Sequence, residues 1–275
     1  MNCPACGSAA LRTLLRLRVR LPTRTWRAPV QECAACTHRF LPTGDAEQRE
    51  IEASYGSGYA GFRPDPVFEA TIRREVRERL APALPRDARV LDVGCGNGVF
   101  LSAITAEGYP ARGVDVSEES ARLCRERGLD ARAGDFLTMP LDGPYDAVTF
   151  WDVMEHLREP AAFLERAREA LAPGGALVLK IPGFERGVFY PIAAVPRLAG
   201  AMLGAPSHIQ YFNRRSLEAL LARTGFGAVE WFPSFAFRSP PRPRNPLRRA
   251  VVAAVRWMAR VGGSGNLYLL ARRPG

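Results

Sequence analysis

Six cysteines, three histidines and a cluster of glycines are the residues of this 275-residue chain with distinctive chemistry to offer. Cys3 and Cys6, then Cys33 and Cys36, form two C-x2-C pairs, and two such knuckles can supply four thiolates to one tetrahedral ion, normally zinc. Four thiolates leave no open coordination position, so the expected metal is structural and holds together a segment too small to bury a core of its own. Cys95 and Cys124 stand apart from these pairs and read as packing residues rather than nucleophiles. Histidine is the side chain suited to act as a base near neutral pH, and there are three: His156, His208 and His38, the last of which follows the second cysteine pair, reads as a stray surface residue or a spare metal ligand and is left out of the site.

The stretch VLDVGCGNG, residues 90–98, raises the question of which cofactor its glycines would hold. A dinucleotide loop is written G-x-G-x-x-G, and counted from Gly94 and Gly96 its third glycine would fall on Val99. The third glycine is Gly98 instead, with Asp92 ahead of the cluster, a spacing that favours a cofactor without pyrophosphate such as S-adenosylmethionine. Small residues let the main chain approach such a ligand, and the helix N-terminus beyond them suits its carboxylate. Asp115, 21 residues after Gly94, is expected at a strand end where one carboxylate can serve two ribose hydroxyls. Asp135 in AGDF is expected to reach the adenine amino group and Phe136 to stack near the ring. The cofactor set is then Asp92, Gly94, Cys95, Gly96, Gly98, Asp115, Val116, Asp135, Phe136 and Phe150.

The elements that must position these residues alternate in type. RVLDVG, ARGVDV, LDARAGDF, YDAVTFWDV and ALVLKIPG read as strands, with helices over Val99–Glu107, SEESARLCRERG and REPAAFLERAREAL between them. Ser117 is the expected N-cap and Gly128 the expected C-cap of the second helix. Such alternation implies a parallel sheet with helices on both faces. NRRSLEALLARTGF reads as a capped helix ending at Gly225, and AVEWFPSFAFR and SGNLYLLARR as two strands able to pair antiparallel, with the amphipathic helix NPLRRAVVAAVRWMAR inserted between them. The fold class is thus α/β: a Rossmann-like, doubly wound, seven-stranded sheet, mostly parallel with one antiparallel strand.

Ahead of it, LLRLRVRL alternates apolar and arginine residues as a small β unit does. A polar, glycine- and proline-rich stretch carrying Tyr55 and Tyr59 follows, then a helix from about Val67 to Leu80. The expected organisation is a zinc-binding β module over residues 1–44, a linker or lid over 45–66 and the main domain over 67–275, with cap-like segments at 187–207 and 239–263.

Hydrophobic residues at 47% and charged residues at 24% exclude a wholly disordered chain. A formal net charge of +10 points to a polyanionic partner, but Lys180 is the only lysine, and an arginine skew can reflect coding bias. Arg12, Arg16, Arg18, Arg20, Arg24 and Arg27 crowd the first segment, and no acidic residue follows Arg238. The start MNCPACGSAA lacks the order of a secretory signal, and the longest apolar stretch is broken by Pro191, Pro196 and Arg197. A cytoplasmic location is expected, with the basic helix over 245–260 as a candidate contact to an anionic bilayer.

Together VLDVGCGNGVFL, GVDVS, AGDF, YDAVTFWDVMEHLREP, ALAPGGALVLKIPG and SHIQYFNRRSLEALLARTGF resemble the class I S-adenosylmethionine-dependent methyltransferases, in particular the branch with E-H-L after the fourth strand. The cysteine pairs followed by spaced tyrosines resemble the subset with a zinc-ribbon-like module ahead of the catalytic domain. The resemblance implies a small-molecule or glycan acceptor: a sugar, a nucleotide- or lipid-linked sugar, or a natural-product intermediate, with oxygen as the expected acceptor atom. The sulfonium methyl is already activated, so the protein must align the acceptor and, for a hydroxyl, remove its proton. His208 and His156 are the candidate bases, each with a structural alternative: helix entry or packing for His208, fixing the loop for His156. Glu155 is a further candidate, better suited to supporting the pocket. A ribbon-bearing RNA methyltransferase is the rival enzyme, but the module has few aromatics beyond Trp26 and Phe40, and residues 150–155 read FWDVME where base-methylating relatives carry an asparagine-proline-aromatic motif. A zinc-ribbon adaptor with a relic methyltransferase fold is the non-catalytic reading.

Overall fold

The computed structural model describes residues 1–59, 66–184, 199–200, 203–232 and 266–275 and, for 54–59, the backbone. At the N-terminus β1 (Leu11–Arg20) and β2 (Thr25–Cys33) form an antiparallel hairpin, followed by the two-residue β3 (Arg39–Phe40). Leu17, Val19, Ala28 and Val30 face inward and the arginines between them face out, as period-two alternation requires. Helix α1 (Asp45–Tyr59) occupies most of the stretch expected as a linker, with Asp45 and Glu47 in its first turn and Ile51 buried. Helix α2 (Pro66–Glu75) continues through a π turn (Val76–Leu80) into the short α3 (Ala81–Ala83).

The main sheet contains β4 (Val90–Val93), β5 (Ala111–Asp115), β6 (Ala131–Ala133), β7 (Tyr145–Trp151), β8 (Leu171–Pro182), β10 (Gly227–Phe232) and β11 (Asn266–Arg272), in the order β10-β11-β8-β7-β4-β5-β6. Only β11 runs against its neighbours. The central strands are apolar on both faces because α4 (Val99–Ala106), α5 (Glu118–Glu126), α6 (Pro160–Ala170) and their neighbours cover them; all four residues of β4 are buried. The strand order reverses between β4 and β7, so the crevice beyond their carboxyl ends is the natural ligand site of this architecture.

The N-terminal sheet does not close on itself. Its order is β1-β2-β3-β9, and β9 (Gln210–Tyr211) comes from beyond the main sheet's fifth strand in sequence. Cys3, Ala5, Cys33 and Cys36 pack in one core with Phe212, Leu217 and Leu220, so the module is built onto the main domain. Buried His38 sits in this seam: its Nε2 lies 2.8 Å from Gln210 Oε1 and its ring lies 4.7 Å from that of Phe212, a packing position. The insert expected over 239–263, with its 245–260 helix, lies outside the described residues, as do 187–198 of the other cap-like segment and the side chains of Tyr55 and Tyr59.

The expected caps are in place. Ser117 Oγ accepts from Ser120 N, and Gly128 takes φ +75° after the helix. Helix α7 (Arg214–Arg223) opens with a reciprocal box: Asn213 Oδ1 accepts from Ser216 N at 3.0 Å, while Asn213 N donates to Ser216 Oγ at 2.9 Å. The Asn213 amide also donates to the Thr37 carbonyl at 2.9 Å, tying the cap to the second cysteine knuckle. Asn213→Ala is therefore expected to cost about 2 kcal/mol in a denaturant titration, the upper range for a lost cap, because a buried carbonyl is orphaned as well.

Candidate active site

The carboxyl ends of β4 and β5 form the first half of the site. Gly94, Gly96 and Gly98 take φ values of +71°, +52° and +79°, which only glycine adopts without strain, and Gly98 leads into α4. A Cβ on Gly98 would lie 2.7 Å from Leu129 Cδ1, and one on Gly94 would lie 2.6 Å from Val153 Cγ2. The loop is thus pressed between α5 and the segment that follows β7. Asp115 is held by main chain: Oδ2 accepts from Gly96 N at 2.8 Å and Oδ1 from Ser117 N at 2.9 Å. Burial raises its pKa, and the bonds from Ser117 and Gly96 oppose the rise. Beside it Val116 is 82% exposed, an apolar face presented to the crevice.

Four members of the expected cofactor set are placed otherwise. Phe136 is buried edge-on to Phe150 at 5.9 Å and stacked on Phe163 at 5.8 Å; its ring is a core residue and cannot turn to an adenine. Phe150 is wholly buried in the same cluster. The Cys95 side chain points inward, where its Sγ would stand 2.7 Å from a Cβ on Gly113, so only its main chain faces the loop. Asp92 lies beneath the loop, accepting from Thr149 Oγ1 at 2.9 Å; its burial pushes the carboxyl well above the usual range. Asp135 does stand exposed at the end of β6, where Oδ1 accepts from Leu137 N at 3.0 Å.

Beyond β7 the chain brings together what sequence separates. Glu155, His156 and His208 offer ligand atoms that all lie within 4.8 Å of one another, and the two imidazoles meet edge to face with centroids 4.9 Å apart. His156 Nδ1 lies 2.8 Å from the Ser207 carbonyl, which can only accept, so Nδ1 donates there, and the ring also bonds the main chain of Asp152. Burial lowers the pKa of both histidines, and His156 helps bring His208 to about 4. Glu155 is fully buried, neither of its oxygens meets a hydrogen-bond partner among the described residues, and burial followed by Asp152 pushes its pKa far up.

Two residues of this region have no counterpart among the expected site residues. Asp152 has φ +54°, a left-handed conformation unusual for aspartate, and is locked there by Lys180: Nζ donates to Asp152 Oδ2 at 2.5 Å while Asp152 N donates to the Lys180 carbonyl at 2.8 Å. Lys180 is buried between the rings of Phe68 and Trp151 and also faces the buried Glu75. Its signal in the sequence was its position as the sole lysine, on an otherwise apolar strand.

The four paired cysteines form a second centre. Gly7 N donates to the Cys3 carbonyl and Thr37 N to that of Cys33, both at 2.9 Å, so the two knuckles turn alike. Cys3 and Cys36 sulfurs are 3.6 Å apart, as are those of Cys6 and Cys33. A disulfide is about 2.05 Å long, whereas a zinc tetrahedron with bonds of about 2.3 Å has edges of about 3.8 Å. The sulfurs fit the metal and not the bridge.

Sheet order, the single antiparallel strand and the loop geometry are together those of the class I S-adenosylmethionine-dependent methyltransferases. A family model described as a methyltransferase domain matches residues 67–230, and the chain belongs to that family. Its relatives include the ubiquinone biosynthesis O-methyltransferases of Bordetella parapertussis, 36% identical over 52% of this chain and 64% of that protein, and Bordetella bronchiseptica, 33% identical over 50% and 63%. The matched part is thus less than two thirds of either relative. Among solved structures, a Burkholderia thailandensis 1,6-didemethyltoxoflavin-N1-methyltransferase with bound S-adenosylhomocysteine superimposes with a TM-score of 0.56 at 17% identity, over 88% of this chain and 98% of that one. An Archaeoglobus fulgidus S-adenosylmethionine-dependent methyltransferase gives 0.53 at 20% identity, over 80% and 99%. At such identities the likeness is one of fold.

Proposed function

We propose that the chain transfers the methyl group of S-adenosylmethionine to a hydroxyl oxygen of a small molecule, with zinc held structurally by Cys3, Cys6, Cys33 and Cys36. The cofactor supplies an activated methyl on sulfur. Gly94, Gly96 and Gly98 give its amino-acid end access to main chain at a helix start, Asp115 receives the ribose hydroxyls and Val116 covers the base. The observation that carries the acceptor side is the pair His156–His208, whose rings meet beyond β7 with their pKa values lowered by burial, on a segment whose Val153 abuts Gly94 of the glycine loop.

With His156 tied to the Ser207 carbonyl and to the Asp152 main chain, the His208 ring, whose Nδ1 meets no hydrogen-bond partner among the described residues, is the group best placed to take the acceptor's proton, with His156 beside it. Asp152 and Lys180 hold the segment that carries Glu155 and His156 in place. A base held near 4 is a weak one, so it suits a hydroxyl that parts with its proton readily. This favours a phenolic acceptor, of the kind the O-methylating relatives suggest, over the more tightly held proton of a sugar hydroxyl.

The test is transfer of labelled methyl to a panel of catechols and nucleotide sugars by the zinc-loaded protein, with His156→Gln and His208→Gln alongside. Transfer to a catechol, lowered about 10²-fold or more in at least one variant while S-adenosylhomocysteine still binds, is the expected result. Equal rates in all three proteins would remove the histidines from the chemistry, and transfer to sugars alone would move the acceptor to the glycan class. His208 also has a stability signature. Between 6.5 and about 4 the unfolded chain binds a proton that the folded chain refuses, so native stability falls by about 3 kcal/mol as pH drops through that window. His208→Gln is expected to flatten this fall in denaturant titrations at pH 7, 5.5 and 4.5.

A further inference from the structure

The outer face of the β1–β2 hairpin carries a charge pattern that methyl transfer does not use. Residues 1–44 hold seven arginines against one acid, Glu32. Glu32 is consumed by Arg12 at 2.6 Å and by the buried Arg39 at 2.8 Å, and Arg24 reaches Glu47 and Glu50 on α1. Arg16, Arg18, Arg20 and Arg27 remain, all exposed, with no acid paired to any of them among the described residues. Arg18 stands directly opposite Arg27 in the ladder, while Arg16 and Arg20 flank Arg18 on the same face, opposite Pro29 and Thr25.

Like charges directly opposite on a sheet destabilise it, and no acid among the described residues relieves them. They cannot turn away either, because Leu17, Val19, Ala28 and Val30 fix the opposite face in the core. β1 is also the edge of its sheet among the described residues, with Gly200 close to the Arg18 carbonyl while the arginine side chains stay exposed. Guanidinium groups in a flat array match phosphate oxygens in a plane, each able to hold two at once.

We propose that this hairpin face docks the protein on an anionic lipid bilayer. A single-stranded nucleic acid would need aromatic rings to stack its bases, and none faces outward here: Trp26 lies opposite Val19 on the inward register, and Phe40 is buried. Pro29, half-buried opposite Arg16, is too short to insert, so the attachment of the described face is electrostatic and reversible, and salt releases it. The same sheet ends at β9, which follows directly on His208, so docking sets the acceptor side about 15 Å from the docked edge, three strand spacings away. The docking itself does not depend on which hydroxyl is methylated.

The experiment is co-sedimentation of the zinc-loaded full chain with phosphatidylcholine vesicles, with and without phosphatidylglycerol, at low and physiological salt. The protein is expected on the phosphatidylglycerol vesicles alone and to leave them as salt rises. Each arginine near an anionic surface contributes about fivefold in partitioning, so Arg16→Gln/Arg18→Gln/Arg27→Gln is expected to lose about 10²-fold and Arg20→Gln alone about fivefold. An unchanged melting temperature and S-adenosylhomocysteine affinity in the triple variant show that the loss is not unfolding; if it does unfold, Arg20→Gln decides. Absence of wild-type binding, or binding undiminished in the variants and therefore carried by another part of the chain such as 245–260, overturns the assignment. So does a preference for single-stranded RNA over phosphatidylglycerol.

Discussion

Asp115→Ala is expected to fold and to bind S-adenosylhomocysteine at least a hundredfold more weakly than the parent chain. In the proposed function the carboxylate has two roles, and alanine removes both. It would accept the two ribose hydroxyls, and hydrogen bonds to a charged acceptor contribute about 1.5–3 kcal/mol each. It also holds the glycine loop, through Gly96 N at 2.8 Å, and the start of α5, through Ser117 N at 2.9 Å. Asp115→Asn separates the roles: one oxygen remains to accept, so much of the loop geometry survives while the charge is lost, and an intermediate affinity is expected. Because burial raises the Asp115 pKa, the carboxylate that the ribose needs is lost at a higher pH than for an exposed aspartate. Affinity should therefore be constant well above that raised pKa and weaken as the pH falls through it. Calorimetric titration over a pH series checks all three expectations, and an alanine variant that binds as the parent does would remove Asp115 from the cofactor site.

The parts of this site that the sequence made legible are those whose physics is local. Gly94, Gly96 and Gly98 are needed where φ is positive, Ser117 where a helix lacks its first acceptor, and the central strands are mostly apolar because both faces are covered, with the buried Asp92–Thr149 pair as an exception. What was illegible depends on distant partners. β9 is two residues long and exists because Arg39 and Phe40 lie beside it, and no periodicity in SHIQYFN announces that pairing. Phe136 follows a motif that directs a ring outward, yet Phe150 and Phe163 provide a better-packed place for it inside. Helix α1 runs on through Gly56 and Gly58, residues of low helix propensity that made its sequence look like a linker. His156 and His208 were each legible as candidates, but their meeting was not, since 51 residues separate Ser207 from the ring it fixes.

In the proposed function, that long-range meeting would make the cysteine centre a condition of catalysis as well as of folding. The path is short: Cys33 ends β2, β3 pairs with β2 and with β9, and β9 begins two residues after His208. On the other side of the loop, Ile209 N donates to the Glu155 carbonyl at 2.8 Å and Gln210 Nε2 to that of Leu157 at 2.9 Å. The four sulfurs therefore brace the strand that fixes the imidazole pair. Structural zinc contributes about 10–16 kcal/mol in small zinc-finger peptides, comparable to or more than the whole stability of an ordinary domain, so its loss cannot be absorbed locally. Cys33→Ser, or a strong chelator, is expected to release about one zinc per chain, to expose residues 1–41 to protease and to reduce methyl transfer by about 10²-fold or more, the scale of a displaced base. S-adenosylhomocysteine binding should suffer much less, because β4 and β5, whose ends carry the glycine loop and Asp115, belong to the main sheet and share no strand pairing with the sheet of β9. Metal analysis, limited proteolysis and calorimetry on one preparation separate these effects. A chain that is folded, free of metal and fully active would show that the sulfurs hold no required ion.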